Sequence, residues 1–227
     1  MLDQEVFVGN VQLPTQSFSK KGGLMQFVES NKLSDLKMIY SDDVELVSIA
    51  RTNSTTIEEL SQRLLDLRTP LKLQWKQTLR DHETANSRLP ETIDTEVRST
   101  MVDLIVESSE IFGELMKCSQ IGVRLATLRS PMCPRFHVDQ IPCRMIITLA
   151  GMGTEWIPNK GVNWSDFSDL SNDKAPLNDS GTVQQLETGN WSILKGGAWA
   201  RGFQGLVHRS PRDYSERLLL SLDPIFE

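Results

Sequence analysis

The sequence predicts an α+β fold in which helices from the first half brace a compact antiparallel β unit built from the second half. Three observations predict it. Apolar residues recur at intervals of three and four along Ile93, Val97, Met101, Leu104, Ile105, Ile111, Phe112 and Leu115, with only Ser108 interrupting the stripe. After Gly122 the pattern changes to short apolar runs at residues 123–128, 142–149, 191–194, 205–208 and 217–222, each bounded by Gly, Pro, Ser or Asp. Across 227 residues, 39% are hydrophobic and 24% charged, enough apolar surface to fill a core and exclude wholesale disorder.

Taken in order, the first 50 or so residues read as irregular, with a break at Gly22-Gly23 and one short strand at 44–50 after the turn Ser41-Asp42-Asp43. Thr56 and Glu59 have capping-box spacing and open a helix that places Ile57, Leu60, Leu64 and Leu67 on one side; Pro70 ends it. The long amphipathic helix follows Pro90. Residues 159–189 are rich in Asn, Asp, Ser and Gly and read as a long loop, a candidate lid. The expected division is a mainly helical half, residues 1–120, packed on a β core, residues 121–227, in one integrated unit.

Several classes are excluded or disfavoured. No apolar run approaches the roughly 20 residues of a membrane span. The start, Met-Leu-Asp-Gln-Glu, has neither a basic nor an apolar signal region. Three cysteines with no C-x-x-C pair suggest neither a disulfide framework nor a zinc knuckle, so a reducing cytoplasm is the expected setting. A net charge of −6 argues against nucleic-acid binding. The charge is uneven, however. Arg124, Arg129, Arg135 and Arg144 fall in a stretch whose only acid is Asp139, which would draw a small-molecule or anionic substrate.

Of three histidines, His82 sits in a polar stretch and reads as a surface residue. His137 and Asp139 form His-Val-Asp; two apart in an extended chain, they point to one side while Val138 turns away. His208 closes a later strand. Two imidazoles and one carboxylate form a face that suits Fe(II) and leaves three positions open; the same donors suit Zn(II) in a tetrahedral site with one open position. Arg217 follows His208 by nine positions across the turn Ser210-Pro211-Arg212-Asp213, so a hairpin returns its guanidinium beside that histidine, ready for a carboxylate. Ser215, Leu219 and Ser221 share its face. Arg144 is a second candidate for an anionic group, or else a surface partner of Glu155. Trp156, Trp164 and Trp199 are candidate pocket residues.

This pattern resembles the Fe(II)/2-oxoglutarate-dependent oxygenases over residues 123–223. The resemblance implies a double-stranded β-helix of jelly-roll or cupin type, with His137, Asp139 and His208 as iron ligands and Arg217 holding the distal carboxylate of 2-oxoglutarate. Leu219 stands where such proteins often carry a serine, leaving Ser221 or Ser215 as substitutes. The segments Cys-Pro-Arg-Phe-His-Val-Asp, Gly-Thr-Glu-Trp, Leu-Lys-Gly and Val-His-Arg-Ser-Pro, over most of the chain, are also similar to a bacterial family catalogued as domain of unknown function 1826. The expected function is a dioxygenase using Fe(II) and 2-oxoglutarate; the alternative is a zinc-handling or cupin-type metal-binding protein. The sequence assigns neither substrate nor oligomeric state.

Overall fold

The long helix forms where the apolar stripe is strongest. In the computed structural model, which describes residues 26–51, 55–67, 69–213 and 215–226, it spans Thr95–Met116. Asp94 caps its start by accepting the Val97 N–H, and its end is turned by Lys117 in the left-handed region at φ 57°. Met101, Ile105, Phe112 and Met116 are fully buried. Burial of Ser108 inside the stripe is met by a hydrogen bond to the Ile105 carbonyl, 3.2 Å away.

In chain order the elements are β1 (Gln26–Ser30), a 3₁₀ helix (Leu33–Tyr40), β2 (Val44–Ile49), α1 (Thr55–Leu65), β3 (Lys72–Thr78), α2 (His82–Arg88) and α3, the long helix. Then come β4 (Gln120–Leu128), β5 (Cys143–Ala150), β6 (Glu155–Ile157), a 3₁₀ turn (Asn159–Gly161) and α4 (Trp164–Ser168). β7 (Gln184–Gln185), β8 (Trp191–Lys195), β9 (Val207–Arg209) and β10 (Arg217–Ile225) complete the chain. The break expected at Gly22-Gly23 and the capping side chain of Thr56 lie outside what is described.

Seven strands form one sheet in the order β1-β2-β8-β5-β10-β4-β3, and three form a second in the order β7-β6-β9, to which residue 137 adds through a bridge with residue 208. From β4 onward the chain passes between the two sheets repeatedly, which is the winding of a double-stranded β-helix. The first half contributes three strands to the larger sheet as well as its helices. β3 is hidden in the sequence because it is an edge strand: Lys72, Gln74 and Lys76 face solvent and only Trp75 and Gln77 are buried.

Period-two alternation divides β10. Leu218, Leu220 and Leu222 join the large core beneath α1 and α3, with Ile105, Phe112 and Leu125. Leu219 packs on the opposite face with Leu46, Ile146, Trp156, Leu186, Leu194 and Leu206, between the two sheets. Arg217, Ser221 and Asp223 share that inner face by strand parity. The expectation of a lid at 159–189 is corrected. Trp164, Phe167, Ala175 and Leu177 pack on Phe136, Ile157, Val162 and Val207, the outer side of the smaller sheet. The segment is a folded cover, knitted by side-chain turns at Asn163, Asp169, Asn172 and Asn178. Among the described residues no helix is long and apolar enough to cross a membrane.

Candidate metal centre

Two backbone hydrogen bonds set the site. His137 donates its N–H to the His208 carbonyl at 2.9 Å, and His208 donates to the His137 carbonyl at 3.0 Å. This single bridge draws the His-Val-Asp segment onto β9. Trp156 on β6 lies opposite His208 in register. Because Trp156 packs between the sheets, His208 faces inward too. The two imidazole rings lie 4.5 Å apart.

Each ring is oriented from behind. His137 Nδ1 lies 3.0 Å from the Arg135 carbonyl, and His208 Nδ1 lies 3.0 Å from the Leu206 carbonyl. A carbonyl can only accept, so both Nδ1 atoms donate and Nε2 is the ring nitrogen left for a ligand. Those Nε2 atoms turn to Asp139, at 3.7 Å for His137 and 3.5 Å for His208. One donor atom from each residue lies within 4.8 Å of the others. Burial, and then the neighbouring His208, push the His137 imidazole toward its neutral form. Burial opposes ionisation of Asp139, but Arg144 and the two imidazoles outweigh it and hold the carboxyl below its usual range. Two imidazole nitrogens and one carboxylate oxygen are a donor set for a divalent cation.

The other expected site residues divide. Arg144 is not a surface residue and does not meet Glu155, which pairs with Arg209. It is half-buried, donating through Nε and Nη2 to Asp223 at 2.6 and 2.8 Å and through Nη1 to Asp139 at 2.8 Å. With its fork spent on two carboxylates it is not placed to anchor a cosubstrate. Ser221 faces inward, but four strand residues from Arg217 is about 13 Å, too far to share its ligand. Of the tryptophans, only Trp156 lies between the sheets. Trp164 covers the outer side, and Trp199 stacks near Tyr40 at 5.6 Å. His82 is exposed, 3.8 Å from Asp103.

Arg217 is 3% exposed. Its Nη2 meets Thr154 Oγ1 at 3.4 Å, and its buried Nε has no hydrogen-bond partner among the described residues. Burial pulls this guanidinium down to about 10, against the pull of Glu155. Thr154 lies two residues before Trp156, the neighbour of His208, so the tip of Arg217 stands about 7 Å along the sheet from that histidine. A buried cation with an unpartnered donor, spaced from a divalent-cation donor set by a few carbon–carbon bonds, fits a short dicarboxylate joining the two.

Thr148, Thr154, Asp223 and Gly205 also matter here and were missed. Asp223 could have been found, since it continues the 217, 219, 221 parity, and Thr154 lies within the Gly-Thr-Glu-Trp segment; Thr148 and Gly205 have no such signal before the sheet register is known.

The family model described as protein of unknown function (DUF1826) matches residues 30–223. No curated protein matches. Among solved structures, the chain is similar to a dioxygenase for auxin oxidation from Arabidopsis thaliana, determined as a 2-oxoglutarate complex. The TM-score is 0.58 at 10% identity, covering 90% of this chain and 93% of that one. A rice dioxygenase for auxin oxidation aligns at TM-score 0.48 and 11% identity, covering 88% and 82%. A Pseudomonas putida prolyl-4-hydroxylase aligns at TM-score 0.48 and 10% identity, covering 86% and 100%. The first of these establishes the shared fold.

Proposed function

The chain belongs to the DUF1826 family, and we propose that it is a non-haem Fe(II)- and 2-oxoglutarate-dependent oxygenase. The observation that carries the reading is Arg217. A fold that only stored or sensed a metal would have no use for a buried guanidinium on the inner face, 3% exposed and with its Nε unpartnered. Burying such a group uncompensated is costly, and a carboxylate-bearing ligand removes the cost. His137, Asp139 and His208 would hold the iron, and Arg217 with Thr154 would hold the far carboxylate. Iron and 2-oxoglutarate, when bound, would supply oxidation by dioxygen: one oxygen atom would pass to 2-oxoglutarate, giving succinate and carbon dioxide, and the other would oxidise a second molecule. The protein's part is to fix both ends of the cosubstrate and keep the imidazoles aimed.

Anaerobic calorimetry with Mn(II), with and without 2-oxoglutarate, tests this. The expected result is 2-oxoglutarate binding that depends on metal and, in a separate assay with dioxygen admitted, Fe(II)-dependent succinate release that His137→Ala abolishes without unfolding the protein. Arg217→Lys should weaken 2-oxoglutarate binding by about tenfold or more while leaving Mn(II) affinity near the wild-type value, because a lysine cannot offer two parallel donors. Tight zinc binding with no response to 2-oxoglutarate would favour metal handling instead.

A further inference from the structure

Asp139 does not stand alone behind the metal donors. Its Oδ2 accepts from Arg144 Nη1 at 2.8 Å. Arg144 is itself fixed, because its Nε and Nη2 make the paired 2.6 and 2.8 Å bonds to Asp223. Asp223 is held in turn by Arg124 Nη1 at 3.0 Å. The four charges form a chain from β4 through β10 and β5 to the metal donors, alternating in sign. The backbone of Asp139 is pinned as well: its carbonyl accepts the Gly197 N–H at 2.8 Å, and Gly196 packs so closely that an added Cβ would lie 1.9 Å from the Ile141 carbonyl. With main chain and guanidinium both fixed, rotation of the Asp139 carboxylate is the one freedom left to control.

We infer that Asp223, through Arg144, sets how Asp139 meets a divalent cation: it keeps Oδ2 occupied so that only Oδ1 is offered. A fixed guanidinium 2.8 Å from Oδ2 opposes a second cation at that oxygen and competes for its lone pairs. The consequence is a count. An octahedral cation held by two imidazoles and one carboxylate oxygen keeps three positions for reactants, whereas a chelating carboxylate leaves two. Asp223 is therefore a positioning residue that keeps a coordination position free, although it touches neither metal nor cosubstrate. The lock concerns the metal alone; its value to a chelating cosubstrate rests on the oxygenase reading above.

Water-proton relaxation of Mn(II) bound to the full chain tests the lock directly, since it counts exchangeable waters on the ion. Wild-type protein should carry about three; Asp223→Asn, which weakens the clamp, and Arg144→Lys, which keeps the charge but cannot fork to two carboxylates, should each fall to roughly two-thirds of that signal. Mn(II) affinity should stay within about threefold in both, while affinity of the Mn(II)-loaded variants for 2-oxoglutarate falls by about tenfold or more. A merely structural role would lower metal and cosubstrate binding together. Two waters on the wild-type ion, an unchanged water count in both variants, or a parallel loss of Mn(II) and 2-oxoglutarate affinity would each overturn the inference. The wild-type count does so even if a variant fails to fold. If wild-type protein does not bind 2-oxoglutarate, the oxygenase reading fails while the water count still decides the lock.

Discussion

Thr148 on β5 lies directly opposite Leu219 on β10, on the inner face that also carries Arg217. It is 2% exposed, and its Oγ1 has no hydrogen-bond partner among the described residues. Leu219 holds the position where the resembled oxygenases often place a serine, so the register returns a hydroxyl to that neighbourhood from the next strand. Thr148→Val is expected to weaken 2-oxoglutarate binding to the Mn(II)-loaded protein by about tenfold, the scale of one hydrogen bond to a charged group. The same change should leave the ligand-free protein as stable or up to about 2 kcal/mol more so, because it removes a buried, unpaired hydroxyl. Thr148→Ser should restore binding. Calorimetry and urea unfolding read the two effects; wild-type values for both would remove Thr148 from the site.

Gly205 links chain geometry to the metal donors. It sits at φ 81°, and a Cβ there would come within 2.3 Å of Val138 Cγ1 and 2.7 Å of the Gly197 nitrogen. Val138 lies between His137 and Asp139, so displacing it moves both. Gly205→Ala should cost about 2–3 kcal/mol in urea unfolding, combining the left-handed backbone with overpacking, and should weaken Mn(II) binding. Gly202→Ala is the control: φ is 83° there, but nothing lies within 4 Å. It should cost only about 1 kcal/mol and leave the metal untouched. Equal effects of the two on Mn(II) affinity would contradict the steric route.

What the sequence revealed and what it hid follow the same physics. The runs around 143–150, 191–195 and 217–225 were legible because their strands are buried on both faces and read as apolar stretches. β3 was not, because one of its faces and its edge meet water, and β7 is only two residues long. His137 and Asp139 could be grouped because strand parity is a local property. The hairpin expected to return Arg217 beside His208 does not form: β9 belongs to the smaller sheet and β10 to the larger, so the two residues face each other across the sheets and not along one ladder. The second partner of Arg144 could not be found: Asp139 is only five positions away, but Glu155, the expected partner, is claimed by Arg209, and Asp223 arrives from 79 positions away through the β5–β10 ladder. The lid expectation failed for a related reason. Polarity at 159–189 suggested solvent, yet Trp164, Phe167 and Leu177 within it were enough to seat the segment on the outer side of the smaller sheet.

Glu45 supplies a pH dependence. It is fully buried on β2, accepts the Asn159 N–H through both carboxylate oxygens at 3.1 and 3.3 Å, and has no ion pair within reach among the described residues. Burial pushes its carboxyl up to about 7 from an ordinary 4.5, with the Asn159 N–H and the charges of Lys160 and Lys195 working in the other direction. In the unfolded chain the proton leaves near the ordinary value. Between about pH 4.5 and 7 the folded state therefore holds the extra proton, and stability falls as pH rises through that window. Glu45→Gln keeps an acceptor for Asn159 and removes the titration. It should match wild type near pH 4.5 and exceed it above pH 7 by up to about 3 kcal/mol, the size of such a shift. Carboxyls held low, such as Asp139, tilt stability the opposite way, but they are common to both proteins and cancel in the difference. Urea unfolding of the pair from pH 4.5 to 8 reads this; a difference that does not change with pH would mean that Glu45 is ionised in the folded protein throughout.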